Sequence, residues 1–128
     1  MISVNKLNKH FGRLKALNNI SLELSAGRAY ALIGPNGSGK TTLLKCILGL
    51  VVPKSGDIVV GGESVLNHWK YRNQLGYMPQ IGRYPANMTI GQLFSMIKDI
   101  RKSEEQLDEE LIETFRLQDM YDKRMHTL

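Results

Sequence analysis

With one cysteine in 128 residues, the chain has no internal disulfide to staple it. That residue, Cys46, lies in an apolar stretch of helical spacing, which reads as a buried structural thiol. His10, His68 and His126 are far apart and, with a single cysteine, form no metal-ligand cluster. No apolar run approaches the length of a bilayer span, and Met1-Ile2-Ser3-Val4-Asn5-Lys6 lacks the charged head and long apolar body of a signal peptide. These absences argue against a disulfide-framed secreted domain and a membrane-spanning one, and point to the cytoplasm. Internal repeats and low-complexity segments are lacking too. The net charge is +5 and the pI about 9.4, but the basic residues are dispersed and not interleaved with aromatics, so no nucleic-acid partner is expected. The length suits one domain.

What the chain does contain is Gly34-Pro35-Asn36-Gly37-Ser38-Gly39-Lys40-Thr41, which satisfies the phosphate-binding pattern G-x-x-x-x-G-K-[ST]. A polyanionic phosphate chain is wrapped by backbone N–H groups, and that requires glycines that tolerate unusual φ/ψ and close approach. Lys40 is placed to meet the β/γ-phosphates, the Thr41 hydroxyl suits a Mg²⁺ ligand, and the following helix directs its positive N-terminus at the anion. The flanks agree with the motif. Arg28-Ala29-Tyr30-Ala31-Leu32-Ile33 has the length and apolarity of a buried strand, and Thr41 to Leu48 carries apolar residues at helical spacing until Gly49 closes the segment.

Along the chain, Ser3 to Leu7 alternates weakly and is expected as an edge strand, with Asn8 to Arg13 as a loop. Ile20, Leu22 and Leu24 alternate with Ser21, Glu23 and Ser25, the period of a half-buried strand. Pro53-Lys54-Ser55-Gly56-Asp57 is dense in turn formers before Ile58-Val59-Val60, and Gly61-Gly62 makes the next turn, so a further hairpin is expected there. Glu63 to Asn73 reads as a polar loop with a short helix, anchored by Trp69 or Tyr71. Leu75-Gly76-Tyr77-Met78 reads as a short strand ended by Pro79. Thr89 with Gln92, and Ser103 with Gln106, are capping boxes that start two helices. In the second helix Leu107, Leu111 and Phe115 are four apart, with Ile112 beside them.

The Gly-Pro-Asn-Gly-Ser-Gly-Lys-Thr-Thr form of the loop, Pro53 with Ser55-Gly56 and the Gly61-Gly62 turn, and Tyr77-Met78-Pro79-Gln80 together resemble the nucleotide-binding domain of ATP-binding cassette (ABC) ATPases. The resemblance implies an α/β fold of the P-loop NTPase type: an N-terminal antiparallel β-subdomain, an incomplete parallel core sheet and part of a helical subdomain, truncated before the signature motif. It divides residues 1–128 into a β-subdomain and P-loop core up to the Q-loop (1–80) and a Q-loop segment with helical subdomain (81–128). It implies ATP and Mg²⁺ as cofactors. Gly34, Pro35, Asn36, Gly37, Ser38, Gly39, Lys40, Thr41 and Thr42 would hold the nucleotide, Lys40 and Gln80 would serve catalysis, and Thr41 and Gln80 would meet the metal. Phe11 takes the aromatic position that stacks on adenine, a core phenylalanine being the alternative; Gln80 takes the Q-loop glutamine position, a surface amide being the alternative.

The likeness stops at Leu128, where a family member would continue into the signature loop, the Walker B strand with its Asp and adjacent Glu, the D-loop and the switch His. Asp108-Glu109-Glu110 lacks the apolar run that precedes a Walker B acid. The expectation is therefore the N-terminal part of an ATPase domain, weakly nucleotide-binding and poorly active alone, with apolar surface and unpaired strand edges where the missing strand would sit. The resemblance further implies partnership with transmembrane permease subunits of an ABC transporter and a second nucleotide-binding domain, at the inner face of the cell membrane. The helices from Thr89 to Tyr121 would meet the permease, with Met88, Ile90, Leu93, Phe94, Met96 and Ile97 either at that contact or in the helix core. A soluble ABC ATPase of translation or DNA repair and a non-catalytic nucleotide-binding module are the other readings. Tyr71-Arg72 and Gly76 to Asn87 look similar to copper-processing subunits linked to nitrous-oxide reductase maturation.

Overall fold

The computed structural model describes residues 1–66, 68–101 and 109–127. They group into two compact units, Met1–Gly76 and Tyr77–Leu128, a division that leaves Gln80 with the second.

The first unit is built on a four-stranded sheet. Strands β1 (Ile2–Phe11), β2 (Leu14–Leu24), β3 (Ser55–Val60) and β4 (Glu63–Ser64) are ordered β2-β1-β3-β4, with each neighbouring pair antiparallel. Val4 faces Leu22 on one side and Ile58 on the other, and Ile2 likewise faces Leu24 and Val60, so one face of the sheet is apolar. Helix α1 (Lys40–Ile47) supplies Leu43, Cys46 and Ile47 to the same core, and Val65 and Tyr71 complete it. Cys46 is fully buried, and that burial pushes its thiol pKa up, as suits a structural residue. Of the two aromatic anchors weighed for the following loop, Tyr71 is buried in a short 3₁₀ helix (Lys70–Gln74) and Trp69 is exposed.

β1 is an inner strand, contrary to the edge expected, and it runs through Asn8 to Phe11 before turning at Gly12-Arg13. Its alternation looked weak because Val4 and Leu7, both buried, are three residues apart, which a period of two cannot place on one face. A bulge restores the parity. Lys6 is left-handed at φ 46°, and Asn19 on β2 is left-handed at φ 52°. On the other side Gly56 of β3, at φ 93°, passes so close that a Cβ there would lie 2.5 Å from the Lys6 carbonyl oxygen. Side chains satisfy the freed backbone groups: the Lys6 amide donates to Ser21 Oγ (2.9 Å), the Asn19 amide to Asn8 Oδ1 (2.9 Å), and Asn8 Nδ2 to the Lys6 carbonyl (2.8 Å). The hairpin at Gly61-Gly62 forms as read, a two-residue turn with φ of 58° and 88°.

Two expected strands are absent. Residues 28–33 form no ladder and are exposed, Ile33 to 90%, and residues 75–78 are irregular, with Met78 91% exposed. A strand exists only where a neighbour accepts its hydrogen bonds, and no strand among the described residues runs beside either segment.

In the second unit, helix α2 (Ile90–Arg101) starts at the capping box read from Thr89 and Gln92. The Thr89 amide donates to Gln92 Oε1 (3.0 Å) and the Gln92 amide to Thr89 Oγ1 (3.2 Å). The Ile90 and Gly91 amides donate to the carbonyls of Lys123 and Tyr121, both at 3.1 Å, so every donor of the first turn has a partner. Ile90, Leu93 and Ile112 are buried, and the Phe94 and Tyr121 rings pack at 5.7 Å. Helix α3 (Glu109–Thr114) buries Ile112 but leaves Leu111 exposed, as is Phe115 just beyond it, so the three do not share one buried face. The Ser103–Gln106 capping box and Leu107 lie outside the described residues.

Candidate functional site: the 34–41 loop

The loop lies between the irregular 28–33 segment and α1. The Ser38 amide donates to the Pro35 carbonyl (3.2 Å), turning the chain, and Gly39 stands at the helix N-cap with φ 95° and ψ 3°. Only glycine fits there, since the conformation is left-handed and a Cβ would lie 2.4 Å from the Ala16 carbonyl oxygen on β2. The loop is thus seated directly on the sheet.

Lys40, the first residue of α1, bends back over the loop. Its Nζ donates to the Gly34 and Pro35 carbonyls, at 2.6 and 2.7 Å, and to Ser38 Oγ at 3.3 Å. An ammonium is thereby held among the loop atoms at the positive end of a helix. The first turn of α1 contains no acidic side chain and no side-chain cap bond. Its orphan amides therefore remain available to an anion. Thr41 is exposed and Thr42 half-buried, and beneath the loop a cleft of about 300 Å³ is walled by Leu17, Ile20, Leu32 and Ile33.

Phe11 ends β1, opposite Leu14, and is 49% exposed. The seat of the loop at Ala16 and Leu17 is on the same hairpin, Leu17 pairing with Lys9, so the loop rests on the hairpin that carries Phe11. Gln80 is exposed in an irregular part of the second unit. The structure therefore gathers Gly34 to Thr42 with Phe11's hairpin in the first unit, and Gln80 belongs to the second. Sequence reasoning missed the Ala16 carbonyl, which no side chain announces, and Lys9, whose Nζ stands 5.0 Å over the Phe11 ring.

The chain is similar to known proteins in sequence and in fold. The ABC transporter family model matches residues 17–128. A sulfate/thiosulfate import ATP-binding protein of Pseudomonas syringae pv. tomato is 44% identical over 89 residues, covering 70% of this chain and 27% of that protein. A choline transport ATP-binding protein of Bacillus subtilis is 36% identical over 125 residues, covering 94% of this chain and 32% of that protein. Among solved structures, an ATP-binding subunit of an ABC transporter superposes with a TM-score of 0.86 at 25% identity, over 97% of this chain and 54% of that one. A dimeric ATP-binding cassette bound to ADP and Pi has a TM-score of 0.80 at 18% identity, over 100% of this chain and 63% of that one, and shows the fold alone. The chain spans about a third or less of the length of these two curated relatives. On the P-loop NTPase fold and a family match over most of its length, the chain belongs to the ATP-binding domains of the ABC transporter family.

Proposed function

We propose that the chain is the N-terminal portion of the ATP-binding subunit of an ABC transporter, supplying the P-loop half of a nucleotide site. In it, residues 1–80 form the β-subdomain and P-loop core, and residues 81–128 form the Q-loop segment and helical subdomain. The observation that carries this is the Lys40 ammonium held among the loop oxygens at an N-terminus free of acid.

The donor set fits magnesium nucleotide. Amides from Gly34 to Thr42 and the Lys40 ammonium are cationic or dipolar partners for phosphate, and the exposed Thr41 hydroxyl is the hard oxygen that Mg²⁺ prefers. Mg²⁺ held there would neutralise charge on the phosphates. Lys40 exchanges its bonds to Gly34 and Pro35 for phosphate oxygens, Gly39 keeps the backbone close enough to wrap them, and Phe11 offers its ring to the adenine. Gln80 would offer its amide oxygen to the metal and act on the attacking water. Hydrolysis belongs to the whole protein, with a second cassette facing the P-loop. The permease subunits, at the inner face of the cell membrane, receive the stroke.

Among the described residues no helix is long and apolar enough to cross a membrane, which is compatible with a peripheral subunit. Of the apolar residues weighed for the permease contact, Ile90 and Leu93 are buried in the helix core, whereas Met96 is exposed and remains a candidate. The transported solute is set elsewhere: the relatives described above are named for sulfate, thiosulfate and choline, and the copper-processing reading rests on Tyr71-Arg72 and residues 76–87 alone. Calorimetry of Mg-ATP with the Lys40→Ala variant tests the site. Binding is expected to fall at least about 100-fold, since a charge-assisted contact to phosphate is lost in a loop built round it. The urea midpoint is expected to stay put because Lys40 bonds only to its own exposed loop. Unchanged affinity would end the assignment.

A further inference from the structure

The Phe11 ring ends a strand at a two-residue turn and is half exposed, so nothing in β1 itself fixes its orientation. Lys9 does so from one side. Its ammonium lies 5.0 Å from the ring centroid, and the same Nζ donates to the Val52 carbonyl at 2.8 Å, in the segment that leaves α1. The cation is therefore tethered between two elements and sits on one face of a ring that is half exposed. Lys9 also pairs with Leu17, whose side chain approaches Gly39 of the phosphate loop. The fixed ring and the loop thus share a support.

We propose that Lys9 is a positioning residue of the nucleotide site: anchored on Val52, it occupies one face of Phe11 and presents the opposite face to the purine. This rests on the reading of Phe11 as the base-stacking residue. A ring oriented in advance avoids an ordering cost on binding, and a cation on one face leaves a single stacking surface at a set distance from the loop.

The test is calorimetry on the full chain with two ligands, Mg-ATP and Mg-tripolyphosphate, the second having phosphates but no base. Lys9→Met is expected to weaken ATP about three- to tenfold and leave tripolyphosphate unchanged. Lys9→Gln retains a donor towards Val52 without the charge and is expected to weaken ATP similarly, and Lys9→Arg to restore most of the affinity. In a Phe11→Ala background, Lys9→Met is expected to have no further effect. Equal weakening of both ligands, or the same loss with Phe11 removed, would make Lys9 a structural residue and overturn the proposal. If Phe11→Ala leaves ATP binding unchanged, the stacking reading itself fails; if the unaltered chain binds no tripolyphosphate, the loop assignment fails. Urea unfolding of each variant confirms that the comparison is made on folded protein, and Lys9→Gln carries the test if Lys9→Met does not fold.

Discussion

Ile33 and Ile58 are the same residue, each in an apolar run, and they end in opposite environments: Ile33 is 90% exposed and Ile58 is 0% exposed. Both runs are apolar enough to read as strands. The difference lies in what stands beside them. β3 has β1 on one side and β4 on the other, with α1 beneath, while residues 28–33 have no strand partner among the described residues. β-propensity measures how well a side chain fits neighbours on a pleated surface, and without neighbours it specifies nothing. The exposed Leu32 and Ile33 instead wall the cleft beneath the phosphate loop.

The sharpest way to break this comparison is to truncate both residues. Ile58→Ala is expected to destabilise the chain by about 2–5 kcal/mol, read from urea unfolding. Ile33→Ala is expected to fall within about 0.5 kcal/mol. Comparable losses at both sites would mean that residues 28–33 are covered in solution. Next in size is the bulge. Gly56→Ala pushes a Cβ against the backbone of Lys6 and Asn5 at positive φ and is expected to cost about 2–3 kcal/mol. Gly27→Ala, also at positive φ but with nothing within 4 Å, is expected to cost about 1 kcal/mol, so the excess at Gly56 is the clash with its neighbours.

These contrasts explain what could be read from the residues alone. The phosphate loop was legible because its glycines encode backbone geometry directly, and the capping box at Thr89 because two side chains bond two amides within four residues. The hairpin at Gly61-Gly62 was legible for the same local reason. The triple coincidence at Lys6, Asn19 and Gly56 was not, because a bulge appears in sequence as a fault in alternation. Whether Trp69 or Tyr71 anchors its loop could not be decided from composition, since both are large and apolar. Segments 28–33 and 75–78 were misread because strand status is a property of a pair, and a single run of residues does not contain its partner.

A smaller effect sharpens the contrast from the satisfied side. Thr89→Ala leaves the Gln92 amide without its acceptor and is expected to cost about 1 kcal/mol, seen as a lowered urea midpoint. Replacing Gln92 by Ala removes the reciprocal bond to the Thr89 amide and tests whether the two act together, since neighbours in one network are not additive.

The smallest effect is electrostatic and belongs to the sheet. The pairing that orders β1 and β2 also sets His10 opposite Lys15, with Lys54 nearby. Partial burial, followed by those two cations, holds the His10 pKa below its ordinary 6.5. In the unfolded chain the imidazole regains its ordinary value, so between the two pKa values the unfolded state binds more protons. Stability then rises with pH across that window. The contribution is fully present above about 6.5 and is lost as pH falls through the depressed folded value. His10→Gln cannot take up the proton. Subtracting its urea midpoints from those of the unaltered chain between pH 7.5 and pH 5 is therefore expected to leave a small positive slope due to His10 alone. A slope of opposite sign would mean that a carboxylate, not Lys15 or Lys54, is the nearest charge in solution, and that the β1–β2 register past the bulge differs from the one described.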